Sequence, residues 1–281
     1  MKISKCSVGI ILMLAGCIGG LCSGAAGHAA SSEQWFLVEW VNDGDTIILS
    51  DGRRVRYIGI NTPELVHEDQ PAEPFSQKAY SCNRKLVQGK KVRFEKDQQL
   101  TDAYGRTLAY VFLKDGTLVN ATLVQAGYAY CLYVKPNARY YLKLRDYQRE
   151  AMRQRKGMWK FLPDQDGHYI GNIRSRRFHN RSCHFGKKIQ PSRRMVFDSL
   201  WDAFYEGYAP CQRCRPFMSK LRIDGYTQQL FPMSSGVFHR LFPEVSCGIP
   251  YDRNKTLSMV PHKYRLPQGD NRQTVYPLPH S

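Results

Sequence analysis

Seven side chains in the first half of the chain could act together on one anionic centre. Asp43 and Asp45 stand in Asn42-Asp43-Gly44-Asp45-Thr46. Arg56 opens the run Arg56-Tyr57-Ile58-Gly59-Ile60-Asn61-Thr62-Pro63-Glu64, and Arg106 closes Thr101-Asp102-Ala103-Tyr104-Gly105-Arg106. Carboxylate, amide and carbonyl oxygens are what a hard divalent cation such as calcium takes as ligands. A guanidinium is a planar fork of donors that matches a phosphoryl group, which a lysine ammonium cannot copy. A glutamate behind a rigid Thr-Pro turn is placed to take a proton from water. These are the parts for cutting a phosphodiester. Each alone is weak: Asp-Gly-Asp-Thr is also an ordinary acidic hairpin, and a lone strand arginine is commonly a surface charge.

A second constellation lies further on. His179 and Cys183 have three residues between them, Cys211 and Cys214 two, with 27 residues between the pairs. Two close pairs joined by a longer link is the spacing of a closed tetrahedral zinc site. His184, next to Cys183, is a rival ligand, and a disulfide among the three cysteines is the alternative. Of the other cysteines, Cys82 and Cys131 could pair in an oxidising compartment, or stand singly in the core.

The elements that must position these groups follow from pattern. Trp35–Val41, Thr46–Leu49 and Arg53–Ile60 read as a three-strand meander with a turn at Asp51-Gly52. Phe75–Val87, Leu118–Ala126 and Arg139–Lys156 carry helical spacing, and Gly89, Gly127 and Gly157 end them. Val92–Glu95 and Thr107–Leu113 supply two more strands. Five short strands with inserted helices suit a small closed barrel of the OB type, a mainly β fold with α-helices. Within 167–216, Asp198–Gly207 reads as a helix capped by Asp198 or Ser199. This stretch is expected to be a small α+β zinc module.

Charge and termini set the setting. The net charge of +17 is uneven: residues 33–166 carry 21 Lys+Arg against 17 Asp+Glu, and residues 167–281 carry 18 against 7. A basic surface attracts polyanions such as nucleic acid, though a solvated basic tail would show the same balance. Met1–Lys5 followed by apolar Val8–Ala15 has the form of a bacterial export signal within 1–30. Leu14-Ala15-Gly16-Cys17 is similar to a lipobox, which would anchor the chain by a lipid. Cleavage near Gly27–Ala30 is the other option. Both put the mature protein, expected to be a monomer, outside the cytoplasm. Residues 217–281 show little periodicity beyond one short helix within Leu221–Phe242. They are expected to form a poorly ordered tail.

The ordered set Asp43-Gly44-Asp45-Thr46, Arg56, Asn61-Thr62-Pro63-Glu64, Thr101–Arg106 and Leu108-Ala109-Tyr110 resembles the staphylococcal nuclease (thermonuclease) family over about 33–163. The resemblance implies an OB-fold barrel with three helices and a calcium-dependent phosphodiesterase acting on DNA and RNA. It implies calcium held by Asp45, the Thr62 carbonyl and Asn61, with Arg56, Glu64 and Arg106 catalytic. Asn61 stands where the family has a second aspartate, which removes one negative charge. Tyr104 matches a tyrosine near the nucleotide phosphate, while Ala103 replaces a family lysine. Leu132 and Val134 fall on the two aromatic positions expected to stack on the base, leaving Tyr133 as the nearby substitute or as a core residue.

Tyr169–Asn172, Phe178-His179, Cys183 and Gly207–Cys214 resemble the zinc-binding domain of Ada-type DNA-repair methyltransferases, with His179 in place of the first cysteine. That departure speaks against methyl acceptance and for a structural zinc held by His179, Cys183, Cys211 and Cys214. Arg174, Arg176, Arg177, Lys187, Lys188, Arg193 and Arg194 could then grip phosphates. Two functions follow: an exported nuclease whose zinc module aids nucleic-acid binding, or an inactive nuclease-like barrel that only binds. Retention of Arg56, Glu64 and Arg106 favours the first, and Asn61 is the feature favouring the second.

Overall fold

The computed structural model describes residues 34–66, 71–162, 167–217 and Cys247. The expected export signal and the expected tail outside Cys247 lie beyond the described residues, and so does the expected helix within Leu221–Phe242. No described helix is long and apolar enough to cross a membrane.

Five strands close the barrel in the order β1 (Phe36–Val41), β2 (Thr46–Leu49), β3 (Arg54–Tyr57), β6 (Thr107–Phe112), β5 (Lys91–Glu95). β3 and β6 run parallel and the other pairs antiparallel. Alternation drives closure. Val38, Val41, Ile47, Leu49, Val55, Tyr57, Val92, Ala109 and Val111 are all buried in one core. Closing a sheet on itself removes the unpaired edges that an open sheet would expose.

The stretch expected as one strand, Arg53–Ile60, is broken in two: β3 ends at Tyr57, and β4 (Ile60–Asn61) leaves the barrel to pair with β7 (Tyr130–Cys131). The break falls at Gly59, whose φ of 80° an L side chain rarely adopts; a Cβ there would also meet Leu144 Cδ1 at 2.8 Å. Arg56 stitches the corner from outside, its Nη1 donating to the carbonyls of Tyr57 (2.7 Å) and Ile60 (3.1 Å).

Three helices pack around the barrel: α1 (Ser76–Val87), α2 (Val119–Gln125) and α3 (Tyr141–Arg153). They are each shorter than their periodic windows by a residue or more at the ends, where the last turn gives way to capping geometry. Cys82 of α1 is bonded to Cys247, and Cys131 is a free, buried thiol. The pairing of Cys82 with Cys131 is thus excluded. Cys131 sits on β7 against α3, where its backbone N–H donates to Gln148.

Residues 167–217 form a four-stranded sheet in the order β10 (Arg194–Phe197), β8 (Tyr169–Asn172), β9 (Arg177–Asn180), β11 (Ala209–Pro210). Two short helices complete it, α4 (His184–Lys187) and α5 (Leu200–Tyr205). Ser199 caps α5 by accepting from the Asp202 N–H and donating back to the Asp202 carboxylate.

This sheet does not stand apart from the barrel. Its aromatic residues share one core with the end of α3 and the 3-10 turn Gly157–Phe161, around Met152, Trp159, Phe178 and Phe204. Fully buried Gln148 ties the two parts. It accepts from the Cys131 N–H at 2.6 Å and donates to the Phe204 carbonyl at 2.5 Å. Tyr141 donates to the Gly207 carbonyl, and Arg149 to the Tyr205 carbonyl and the Glu206 carboxylate.

Candidate active site

The β2–β3 register sets Thr46 opposite Arg56, so the turn before β2 delivers Asp45 to the arginine. That turn is tied by its own side chains. Asp43 Oδ1 accepts from the Asp45 N–H at 2.9 Å, an Asx turn. Asn83 of α1 donates to the Asp43 carbonyl and accepts from the Tyr57 hydroxyl, which fixes the turn against the helix. Gly44 is required by a close approach: a Cβ there would stand 2.5 Å from Thr62 Oγ1.

Asp45 is 4% exposed. One of its oxygens lies 3.1 Å from Arg56 Nε, and the other accepts from Thr62 N (2.8 Å) and Thr62 Oγ1 (3.1 Å). Burial raises its pKa from 3.8 to about 7, and the negative charges of Asp43 and Glu64 add to burial while Arg56 opposes it. A buried carboxylate with two further carboxylates in range and one arginine is short of positive charge.

Asn61 lies on β4 with its amide engaged at both ends. Its oxygen accepts from Arg56 Nη2 at 2.8 Å; its nitrogen donates to the Thr62 carbonyl and to the Tyr130 hydroxyl, both at 2.9 Å. Arg56 therefore uses four of its five N–H groups on Asp45, Asn61 and two backbone carbonyls. Glu64 is exposed, and its backbone is clamped to Glu73 twice: Glu64 N–H to Glu73 Oε2, and Glu73 N–H to Glu64 O, both 2.8 Å.

Arg106 enters β6 one residue before the Val55–Thr107 pair, beside the start of β3. Asp102 holds it, with Oδ2 2.7 Å from Arg106 Nε, while Asp102 Oδ1 accepts from the N–H groups of Tyr104 and Arg106. These bonds keep the Asp102 carboxyl below its ordinary pKa against a desolvation that pushes it up. Tyr104 is 81% exposed, with the Arg106 guanidinium 5.4 Å from its ring centre. Asp45, Arg56, Asn61 and Thr62 thus form one bonded network, Glu64 is within charge range of it, and Arg106 with Tyr104 stands on the neighbouring loop. Tyr133 is elsewhere: its ring packs edge-on against Tyr141 at 4.9 Å, with Arg176 6.0 Å from its centre.

The four residues of the second constellation converge. The parallel pairing of β11 with β9 brings Cys211 alongside His179, and the Cys211 N–H donates to the Phe178 carbonyl. Cys183 Sγ lies 3.5 Å from His179 Nδ1, and one ligand atom from each of His179, Cys183, Cys211 and Cys214 falls within 4.8 Å of the others. Burial and the charge of Arg177 hold the His179 pKa down, which favours the neutral ring that ligates metals. His184 lies outside this group, its ring against Phe185. Of the seven basic residues singled out, Arg174, Lys187, Lys188, Arg193 and Arg194 are exposed. Arg176 is enclosed by Tyr133, Tyr141 and Tyr208, and Arg177 donates to the Pro210 carbonyl.

Sequence reasoning missed Asn83, Glu73 and Tyr130. Asn83 left a trace, as a polar residue on the apolar face of α1. Glu73 left none, since both of its bonds to the site go to the Glu64 backbone. Tyr130 left no signal that sets it apart from the neighbouring tyrosines Tyr128 and Tyr133.

Comparison with known proteins agrees with this geometry. The profile described as "Staphylococcal nuclease homologue" matches residues 54–161. The thermonuclease of Staphylococcus intermedius is 39% identical over 128 residues, which is 44% of this chain and 76% of that protein. The thermonuclease of Staphylococcus hyicus is 37% identical over 138 residues, 48% of this chain and 81% of that protein. Endonuclease YncB of Bacillus subtilis is 36% identical over 122 residues, 42% of this chain and 57% of that protein. With the closed five-stranded barrel and most of the length of two thermonucleases matched, the chain belongs to the staphylococcal nuclease family and is a phosphodiester-cleaving hydrolase.

Proposed function

We propose that this nuclease is exported, takes calcium at Asp45, and uses its second module to hold nucleic acid. The observation that carries the metal reading is Asp45, a buried carboxylate facing Asp43 and Glu64 with one arginine to balance it. An all-oxygen donor set with excess negative charge fits a hard cation. Asp45 and the Thr62 carbonyl would hold it. Asn61 would do so through its amide oxygen once that oxygen is released from Arg56. When bound, the ion supplies Lewis-acid polarisation of a phosphoryl oxygen and favours ionisation of the attacking water.

The remaining steps belong to the protein. Glu64, exposed and fixed through its backbone by Glu73, accepts the proton of the water. Arg56 offers its Nη2, freed of Asn61, and Arg106 its outer nitrogens, to phosphoryl oxygens as they gain charge. Asp102 holds Arg106 through its Nε. Tyr104 presents an exposed ring beside Arg106 for the nucleotide; Tyr133, half-buried on Tyr141, is the second candidate for stacking.

His179, Cys183, Cys211 and Cys214 fit a structural zinc. Zinc with bonds of roughly 2.0–2.3 Å draws its ligands to within about 4 Å of one another, and the cluster spans 4.8 Å at most. The exposed basic residues Arg174, Lys187, Lys188, Arg193 and Arg194 belong to the same module and suit phosphate contacts that are independent of base sequence. Export, with or without a lipid on Cys17, rests on the N-terminal pattern. An activity gel run with DNA and with RNA, in calcium and in chelator, tests the reading. Cleavage only with calcium is expected, and cleavage undiminished by chelator would overturn the metal assignment.

A further inference from the structure

Tyr130 connects the two halves of the described chain. The β4–β7 register places it opposite Asn61, whose amide nitrogen donates to its hydroxyl at 2.9 Å. The same amide's oxygen holds Arg56. The Tyr130 ring, by contrast, is seated by the second module. It packs edge-on against Phe204 (5.5 Å between ring centres) and Phe217 (6.2 Å), and is buried in the core that both halves share.

Behind it, Arg177 is within charge range of both Tyr130 and Cys211 and donates to the carbonyl of Pro210, the residue before Cys211. A second link runs parallel. Arg215, the residue after Cys214, donates its N–H to the Cys211 carbonyl, and its side-chain charge reaches Glu73, which clamps the Glu64 backbone. The Cys/His cluster and the catalytic turn are therefore linked by two short series of hydrogen bonds and charge interactions. Neither consists of solvent-exposed loop alone.

We propose that Tyr130 is a positioning residue of the nuclease site, seated by the second module so that Asn61 and Arg56 keep their catalytic arrangement only while that module is packed. The module is then part of the active-site scaffold as well as a candidate nucleic-acid surface. The proposal rests on the catalytic role assigned to Arg56 and is independent of which metal the Cys/His cluster takes.

The test uses the full chain and a short DNA oligonucleotide in saturating calcium. Tyr130→Phe keeps the ring and removes the hydroxyl. Its kcat is expected to fall roughly three- to tenfold, the worth of one neutral hydrogen bond, with KM unchanged. The calcium needed for half-maximal rate should rise, and the thermal midpoint should fall by no more than about 4 °C. In a double-mutant cycle, Tyr130→Phe added to Asn61→Ala should cost nothing further, because Tyr130 acts through Asn61. Phe204→Leu, which loosens the seat from the other side, should lower kcat in the same direction. Wild-type kcat in Tyr130→Phe, additive losses in the cycle, or wild-type kcat in folded Phe204→Leu would each overturn the proposal. Arg56→Lys in the same assay separates the two failures. Full turnover there would sink the role of Arg56, whereas a dead Arg56→Lys beside a fully active Tyr130→Phe would sink the proposal alone.

Discussion

Arg56 and Arg106 look alike as candidate catalytic arginines, yet their removal should have very different consequences for the fold. Arg56→Ala deletes bonds to the Tyr57 and Ile60 carbonyls and to Asn61, and it takes away the cation beside Asp45. Hydrogen bonds to a charged group contribute about 1.5–3 kcal/mol each, but bonds sharing one guanidinium do not add. A loss of about 3 kcal/mol is expected from them together. The Asp45 part depends on pH. Its folded pKa, raised from 3.8 to about 7, means the protonated form favours the folded state. Its stabilising contribution is therefore full at low pH and is lost as pH rises through about 7. Removing Arg56 raises that pKa further, and each added unit costs about 1.4 kcal/mol above it. Without calcium, Arg56→Ala should thus lose about 3 kcal/mol at pH 5 and about 4 kcal/mol at pH 8, where only the one unit between pH 7 and 8 can add to the loss, in the range for breaking a buried pair. Arg106→Ala breaks one partly exposed pair with Asp102 and should lose about 1 kcal/mol or less. Urea unfolding followed by circular dichroism in chelator, at both pH values, measures this. Calcium should shrink the excess at pH 8. If Arg56→Ala stays within about 1 kcal/mol of Arg106→Ala at both pH values, the reading of Arg56 as the stitch of the catalytic corner is wrong.

Glu64→Ala and Arg106→Ala should each lower turnover by about 10²–10³ with an unchanged circular dichroism spectrum; near-normal rates in both would remove them from the chemistry. Asn61→Asp should tighten calcium binding, since it restores a carboxylate beside Asp45, and should destabilise the calcium-free protein by crowding like charges. Equal or weaker calcium affinity by titration would refute it. The purified chain should contain one zinc, and Cys214→Ser should lose that zinc and lower the unfolding midpoint, because the metal supplies folding free energy. Metal analysis finding no zinc, with the cysteines oxidised, would count against the site.

What was legible in the sequence divides along a physical line. The barrel strands announced themselves because alternation and burial coincide in Val38, Ile47, Leu49 and Val55. The helices did so through their apolar faces. The break at Gly59 did not, because Arg53–Ile60 keeps a strand-like composition while Arg56 bends it from outside by bonding two carbonyls. β4 and β7, two residues each, carry too little pattern to be seen at all. The partner of Cys82 was equally hidden: Cys247 is 165 residues away, and spacing says nothing about such a pair.

The candidate site was legible where residue types weak alone recur together in order. Asp45, Arg56, Thr62 and Glu64 could be named as candidates from identity and order, and so could the four Cys and His residues, because few other groups suit that chemistry. The supports were not legible, because their identity is ordinary and only their position is special. Tyr130 shows the difference. As a letter it sits among Tyr128 and Tyr133 and suggests stacking on a base; in the fold its ring is closed in by Phe204 and Phe217, and only its hydroxyl faces the site. Gln148 likewise reads as a polar residue on a helix, yet it is fully buried and spans from the Cys131 N–H to the Phe204 carbonyl. Both lie on the seam between residues 34–162 and 167–217. Division by motif separates these stretches because each motif is local, whereas the shared core makes the aromatic side of the second module a wall of the first.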